Sequence, residues 1–117
     1  MATIYHITTP ETWQAGLAQG KYSSPSLDGE GFIHCSTAQQ IVATANRYYH
    51  GKRGLILLAL DPQRLTAELR YENLIGGSEL FPHLYGPLNP DAVKAAIPFE
   101  PDPDGNFTRL PENAPGA

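Results

Sequence analysis

The chain has 117 residues, of which 11 are glycine and 11 proline, and it carries 12 acidic against 8 basic side chains. That length implies one domain with one core. A net charge of −4, with no basic cluster longer than Lys52-Arg53, excludes a nucleic-acid backbone surface, which needs clustered Lys and Arg. No apolar run approaches the roughly 18 residues of a membrane helix; the longest is Leu55–Leu60. Neither DNA nor a membrane is therefore an expected partner. The first residues have no basic start and no apolar stretch of the kind a secretory signal carries. Cys35 is the single cysteine and cannot form an internal disulfide, so a reducing, cytoplasmic setting is expected.

Taken in order, Thr3–Ile7 is β-branched and aromatic and reads as a strand. Thr9-Pro10-Glu11 supplies an N-cap, a proline at the first helical position and an early acid, and Gly20 supplies a stop. A helix is expected over 10–19, with Trp13 and Leu17 one turn apart on its apolar face. Residues 20–31 read as a loop closed by Asp28-Gly29-Glu30-Gly31, and Phe32–Cys35 as a short strand. Ser36 or Thr37 is placed to cap a second helix over 37–50, with Gln39 or Gln40 completing a capping box.

Gly54–Leu60 is apolar on both faces, as suits a central strand covered on both sides. Residues 65–72 alternate strictly, with Leu65, Ala67, Leu69 and Tyr71 against Thr66, Glu68, Arg70 and Glu72, which predicts a half-buried strand. Leu80–Tyr85 reads as a further strand that Pro82 demotes to an edge or a bulge. Val93, Ala95, Ile97 and Phe99 alternate and give the last strand. Residues 1–100 thus form one globular unit, and the proline-rich tail over 101–117 is expected to be loose. Helices come early and strands late, which favours an α+β fold with two main helices and a mixed, largely antiparallel sheet.

Three of the four histidines, His6, His34 and His83, sit one each in expected strands, where each shares a face with aromatic or branched neighbours. Each alone reads as a buried histidine satisfied by the backbone. Together they are candidates for one cleft and for the catalytic positions. His50 lies at a helix end, where the dipole favours it. Ser36 and Thr37 follow His34 and offer either a helix cap or an anion cradle. Cys35 points away from His34 in a regular strand and reads as core. Glu79, after Gly76-Gly77-Ser78, is a candidate carboxylate. Around His83, Pro82, Gly86, Pro87 and Pro90 stiffen the backbone beside Phe81 and Tyr85, the kind of pre-organisation a binding pocket needs.

Three segments carry a family resemblance: Ile4-Tyr5-His6-Ile7, Asp28-Gly29-Glu30-Gly31-Phe32-Ile33-His34-Cys35-Ser36-Thr37, and Phe81-Pro82-His83-Leu84-Tyr85-Gly86-Pro87-Leu88. Together they resemble the bacterial family known as domain of unknown function 952, over roughly residues 2–100. That family is in turn similar to the ADP-ribosyltransferase superfamily, which implies a split sheet and NAD or a related nucleotide as ligand. The resemblance places a ribose contact at His6 and a stacking tyrosine at Tyr48 or Tyr49. It calls for a late-strand glutamate where this chain has His83, with Glu79 four residues earlier.

The resulting expectation is an active or degenerate ADP-ribosyltransferase-like protein. His6, His34 and His83 would line a cleft for a nucleotide or another phosphorylated ligand, with Ser36, Thr37, Tyr48, Glu79 and Tyr85 as binding residues. Two alternatives stand beside it. Three imidazoles with an open position would suit zinc-assisted hydrolysis, although no local ligand spacing marks such a site. The domain could also be a non-catalytic binding or regulatory module.

Overall fold

A computed structural model describes residues 2–115. In chain order its elements are β1 (Ile4–Thr8), α1 (Pro10–Gln19), α2 (Pro25–Glu30), β2 (Ile33–His34), β3 (Ser36–Thr37), α3 (Ile41–Tyr49), β4 (Leu55–Leu60), β5 (Glu68–Glu72), β6 (Phe81–Tyr85) and β7 (Val93–Phe99), with short 3-10 turns at Pro62–Arg64 and Pro90–Ala92. The strands form a four-stranded sheet in the order β3-β1-β4-β7 and a three-stranded sheet in the order β2-β6-β5. Every pairing is antiparallel, so the fold is α+β as expected. Among the described residues no helix is long and apolar enough to cross a membrane.

Strand β4 explains the layering. It lies between β1 and β7, and its two faces serve two cores. Leu55, Leu57 and Ala59 join Tyr5, Ile41, Ala45 and Phe99 in one cluster. Leu58 and Leu60 join Trp13, Tyr22, Ile33, Leu84 and Leu88 in the other, where the two sheets meet. Burying a leucine side chain stabilises by about 1.5–3 kcal/mol, so an all-apolar strand is held most firmly where both faces are covered. Strand β7 shows the expected alternation, with Ile97 and Phe99 buried and Lys94, Ala96 and Pro98 exposed.

The punctuation of α1 is as read from the sequence: Thr9 Oγ1 accepts from Thr12 N at 3.2 Å, Pro10 opens the helix, and Gly20 closes it at φ 76°. Its buried face differs, running through Trp13 and Gly16 while Leu17 is exposed. A methyl group on Gly16 would stand 2.9 Å from Tyr22 Cα, so glycine lets the following segment approach the helix.

Several boundaries differ from the expected ones, each for a physical reason. The segment read as a loop over 20–31 contains α2, opened by Pro25 and closed at Gly31, with φ 89°. Leu27 is the one large apolar residue in its six, so helical periodicity has nothing to act on. Ser36 and Thr37 do not begin the second helix. They pair with Tyr5 and Ile4 of β1, and α3 starts only at Ile41. Gln40 Oε1 still accepts from Thr37 N at 3.1 Å, which is one half of the expected capping box.

Strand β5 is shorter than the alternating run, because Asn89 Oδ1 captures Thr66 N before the strand begins. Pro82 does not put β6 at an edge. β6 is the middle strand of its sheet, and Pro82 O accepts from Cys35 N at 3.1 Å. In a strand the N–H and C=O of one residue point to the same side, so the donor that proline lacks would face β2 just past its two paired residues.

The tail is the largest correction. Phe107 is buried against Phe99 with ring centroids 4.8 Å apart. Asn46 grips it twice, through Asn46 Nδ2 to Phe107 O and Phe107 N to Asn46 Oδ1, both at 2.7 Å. Ala114 is buried, and Tyr5 donates its hydroxyl to Pro115 O at 2.7 Å. Residues 101–115 are thus seated on the first core rather than loose, while residues 116 and 117 of the expected tail lie outside the described residues.

Candidate functional site

The site grows from the pairing of β2 and β6, whose register sets His34 opposite His83. A cross-strand pair projects its side chains to the same face. The two imidazole centroids lie 5.6 Å apart, edge to face. Phe32, just before β2, stacks on His83 at 4.1 Å with 22° between planes, and meets His34 at 4.8 Å.

Each of these two histidines is oriented by a carboxylate. His34 Nε2 lies 2.9 Å from Glu30 Oε1, an i,i+4 pair at the end of α2. His83 Nδ1 lies 3.0 Å from Glu72 Oε1, at the end of β5. A carboxylate only accepts, so in each case that nitrogen donates a proton. Among the described residues no hydrogen-bond partner faces the other nitrogen, His34 Nδ1 or His83 Nε2.

Glu72 Oε1 also accepts from the Tyr85 hydroxyl. That bond first, and the His83 bond second, hold the Glu72 carboxyl below the usual glutamate range. The same carboxylate pushes the Tyr85 phenol above its ordinary value. Arg70, cross-strand from His83, covers the Tyr85 ring at 4.4 Å and pairs with Glu68 at 2.8 Å.

His6 sits behind this pair on β1 and is buried. Its Nδ1 donates to the His34 carbonyl at 2.6 Å, and its Nε2 lies 2.7 Å from the Tyr22 hydroxyl, which in turn bonds Thr8 Oγ1 at 2.8 Å. Desolvation lowers its pKa to about 4, so the ring is neutral. Both ring nitrogens are engaged by protein groups. Its contact with the His34 carbonyl ties the four-stranded sheet to the three-stranded one.

All three histidines line one cleft of about 670 Å³ at the junction of the sheets and α3. Ser36, Tyr48 and Glu79 line it as well. Ser36 is buried and donates to Thr44 Oγ1 at 3.1 Å. Thr37 and Tyr85 are not in the cleft wall: Thr37 gives its N–H to Gln40, and Tyr85 reaches the site through Glu72. Tyr49 is in the wall beside Tyr48. Cys35 is core, as expected, and burial pushes its thiol up to about 12. The three-histidine metal alternative loses its geometry, since among the described residues no group of three or more His, Cys, Asp or Glu side chains is arranged to hold a metal ion.

Sequence reasoning missed Phe32, Glu30, Glu72 and Arg47, which also line the cleft. Glu72 was hidden because strict alternation assigns it to the polar face of its strand. Only the register, with Arg70 opposite His83, turns that face toward a histidine. Glu30 was hidden with α2, whose helical turn carries it to His34.

Fold and site together define a small α+β domain with two antiparallel sheets and a cleft of histidines and carboxylates at their junction. The chain belongs to the family described as "Protein of unknown function (DUF952)", whose model matches residues 7–96. It is similar to protein CC0527 from Caulobacter crescentus, whose X-ray structure superposes with a TM-score of 0.81 at 36% identity, covering 91% of this chain and 93% of that one. The solution NMR structure of the same protein superposes at 0.79, with 36% identity over 92% and 93% of the two chains. Among curated proteins, none matches this chain.

Proposed function

We propose that the cleft binds a nucleotide or another phosphorylated small molecule, in an ADP-ribosyltransferase-like protein that is either active or a degenerate, binding-only form. The observation that carries this reading is the His34–His83 pair. Each ring has one nitrogen committed to a carboxylate and the other without a partner among the described residues, within a shared cleft. At its other nitrogen an imidazole so oriented donates to a phosphate oxygen when charged, or accepts from a ribose hydroxyl when neutral. Arg47 adds a fixed positive charge to the same wall.

The ligand this reading calls for is NAD or a related nucleotide. Its superfamily resemblance needs a carboxylate near the late-strand position held by His83. Glu72 brings one to within 3.0 Å of that ring from the neighbouring strand, and Glu79 stands further along the wall. His6 contributes by bracing the backbone of His34. The partner is a small molecule rather than DNA or a lipid surface, and the setting a reducing cytoplasm.

Isothermal calorimetry with NAD, ADP-ribose and AMP tests the reading on wild type, His34→Ala and His83→Ala, with melting curves to confirm folding. Hydrogen bonds to charged groups contribute about 1.5–3 kcal/mol, so each folded variant is expected to bind about tenfold or more weakly. Absence of binding to wild type, or affinities indifferent to both substitutions, overturns it. Release of nicotinamide from NAD separates the active form from the degenerate one.

A further inference from the structure

Among the described residues, six large hydrophobic side chains are more than a third exposed: Leu17, Tyr48, Tyr71, Leu74, Ile75 and Leu80. Three of them, Tyr48, Leu74 and Ile75, line the histidine cleft. Ile75 is 76% exposed and Leu74 58%, the kind of apolar surface that marks a binding site when it gathers in one place.

The loop that carries Leu74 and Ile75 is built, not slack. Asn73 organises it from within: its Nδ2 donates to Glu79 O at 2.7 Å, and its Oδ1 accepts from Ile75 N at 3.0 Å and Gly77 N at 2.9 Å. Gly76 turns the chain at φ 86°, and a Cβ on Gly77 would stand 2.8 Å from Asn73 Nδ2. The loop starts one residue after Glu72, the carboxylate that orients His83. The cleft therefore has a polar end at His34, His83 and Glu72, and an apolar lip fixed to the same strand.

We infer that Leu74 and Ile75 grip a planar apolar group of the ligand, so that the cleft selects a phosphorylated compound that retains an aromatic base over a bare sugar phosphate. This rests on the phosphorylated-ligand reading above and assigns the residues that would hold the base of such a ligand. A base at the lip would cover apolar surface that the Asn73 bonds hold ready, and a sugar phosphate would leave it wet.

The probes are AMP and ribose 5-phosphate, which differ by the base alone. The variants are Leu74→Ser/Ile75→Ser, whose side chains are exposed and whose loop bonds run through the backbone and Asn73, and Asn73→Ala, which frees the loop. Wild type is expected to bind AMP about tenfold tighter than ribose 5-phosphate. The serine double variant is expected to lose most of that difference while binding ribose 5-phosphate as wild type does, and Asn73→Ala to move the same way by less. Equal affinity of wild type for the two probes overturns the inference and leaves the phosphorylated-ligand reading standing. An unchanged AMP affinity in the double variant also overturns it. Binding of neither probe to wild type overturns both. Dimerisation that the double variant abolishes assigns the lip to a second copy of the chain and overturns the inference as well.

Discussion

His6 and His83 are equally buried, each at 6% exposure, and they have opposite surroundings. His6 belongs to a sheet with a core on both faces, and its partners are a carbonyl and a phenol, both uncharged. His83 lies on the polar face of the smaller sheet against the Glu72 carboxylate, under the Phe32 ring. Burial without a counter-charge makes a histidine a neutral brace. Burial beside a carboxylate fixes one nitrogen and leaves the other for chemistry. In the proposed reading the two sheets divide the work accordingly: the four-stranded one would supply rigidity, and the three-stranded one the carboxylate-paired histidines offered to a ligand.

The sharpest way to break that contrast is to damage each region and compare stability. Leu57, fully buried in the four-stranded sheet, is expected to cost about 2–5 kcal/mol as Leu57→Ala, by transfer and cavity terms together. Urea denaturation reads that loss. A loss below about 1 kcal/mol would deny the larger sheet its structural role.

The pH dependence follows from His6. A base with a lowered folded pKa is needed neutral in the fold, while the unfolded chain takes up its proton near 6.5. Stability is therefore full above pH 6.5, falls as pH drops from 6.5 toward about 4, and levels below that. The expected contribution is about 3 kcal/mol, lost over that window. The Glu72 carboxyl, whose pKa is also lowered, adds its own loss only below its ordinary value of 4.5. Denaturation series from pH 7 to pH 5 thus report His6 ahead of Glu72. A flat profile there, or one that His6→Gln leaves unchanged, would make His6 no brace.

A smaller effect on folding is expected from Glu72→Gln. An amide replaces the acceptor that Tyr85 and His83 share, at a side chain with 22% exposure. The melting temperature should move less than in Leu57→Ala. The ¹⁵N shifts of the His83 ring should change, because its Nδ1 proton loses a charged acceptor. Unchanged His83 shifts would remove Glu72 from the site.

Much of the site was legible one residue at a time and little of it as an arrangement. His34 and His83 stand out in the sequence as histidines in expected strands, with proline and glycine stiffening the chain around His83, and Ser36, Tyr48 and Glu79 do share their cleft. Strict alternation puts Glu72 on the polar face of its strand, like any solvent-facing residue, and the apolar residues of its loop carry no periodic signal. Strand alternation groups Tyr85 with His83, and it does share that face and bond Glu72, but it stands outside the cleft wall; Thr37 is held on β1 by strand pairing instead.

The local rules also ran out where long-range contacts took over. Ser36 has the chemistry of a cap, yet a backbone partner on β1 holds it as a strand. Residues 101–115 have the composition of a loose tail, yet Phe107 finds Phe99 and Asn46.

The sequence by itself determined the elements whose cause is local: the Thr9-Pro10 start of α1, its glycine stop, the doubly apolar β4 and the alternating β7. Caps, φ preferences and hydrophobic period act within a few residues of where they are written. Only the tertiary structure decided that His34 faces His83, that Glu72 reaches the same ring, that His6 is walled in neutral, and that the tail is pinned. Those depend on strand register and on which face meets which core. Register is settled by the summed burial of residues far apart in the chain, and a shift by one residue would turn His83 away from Glu72.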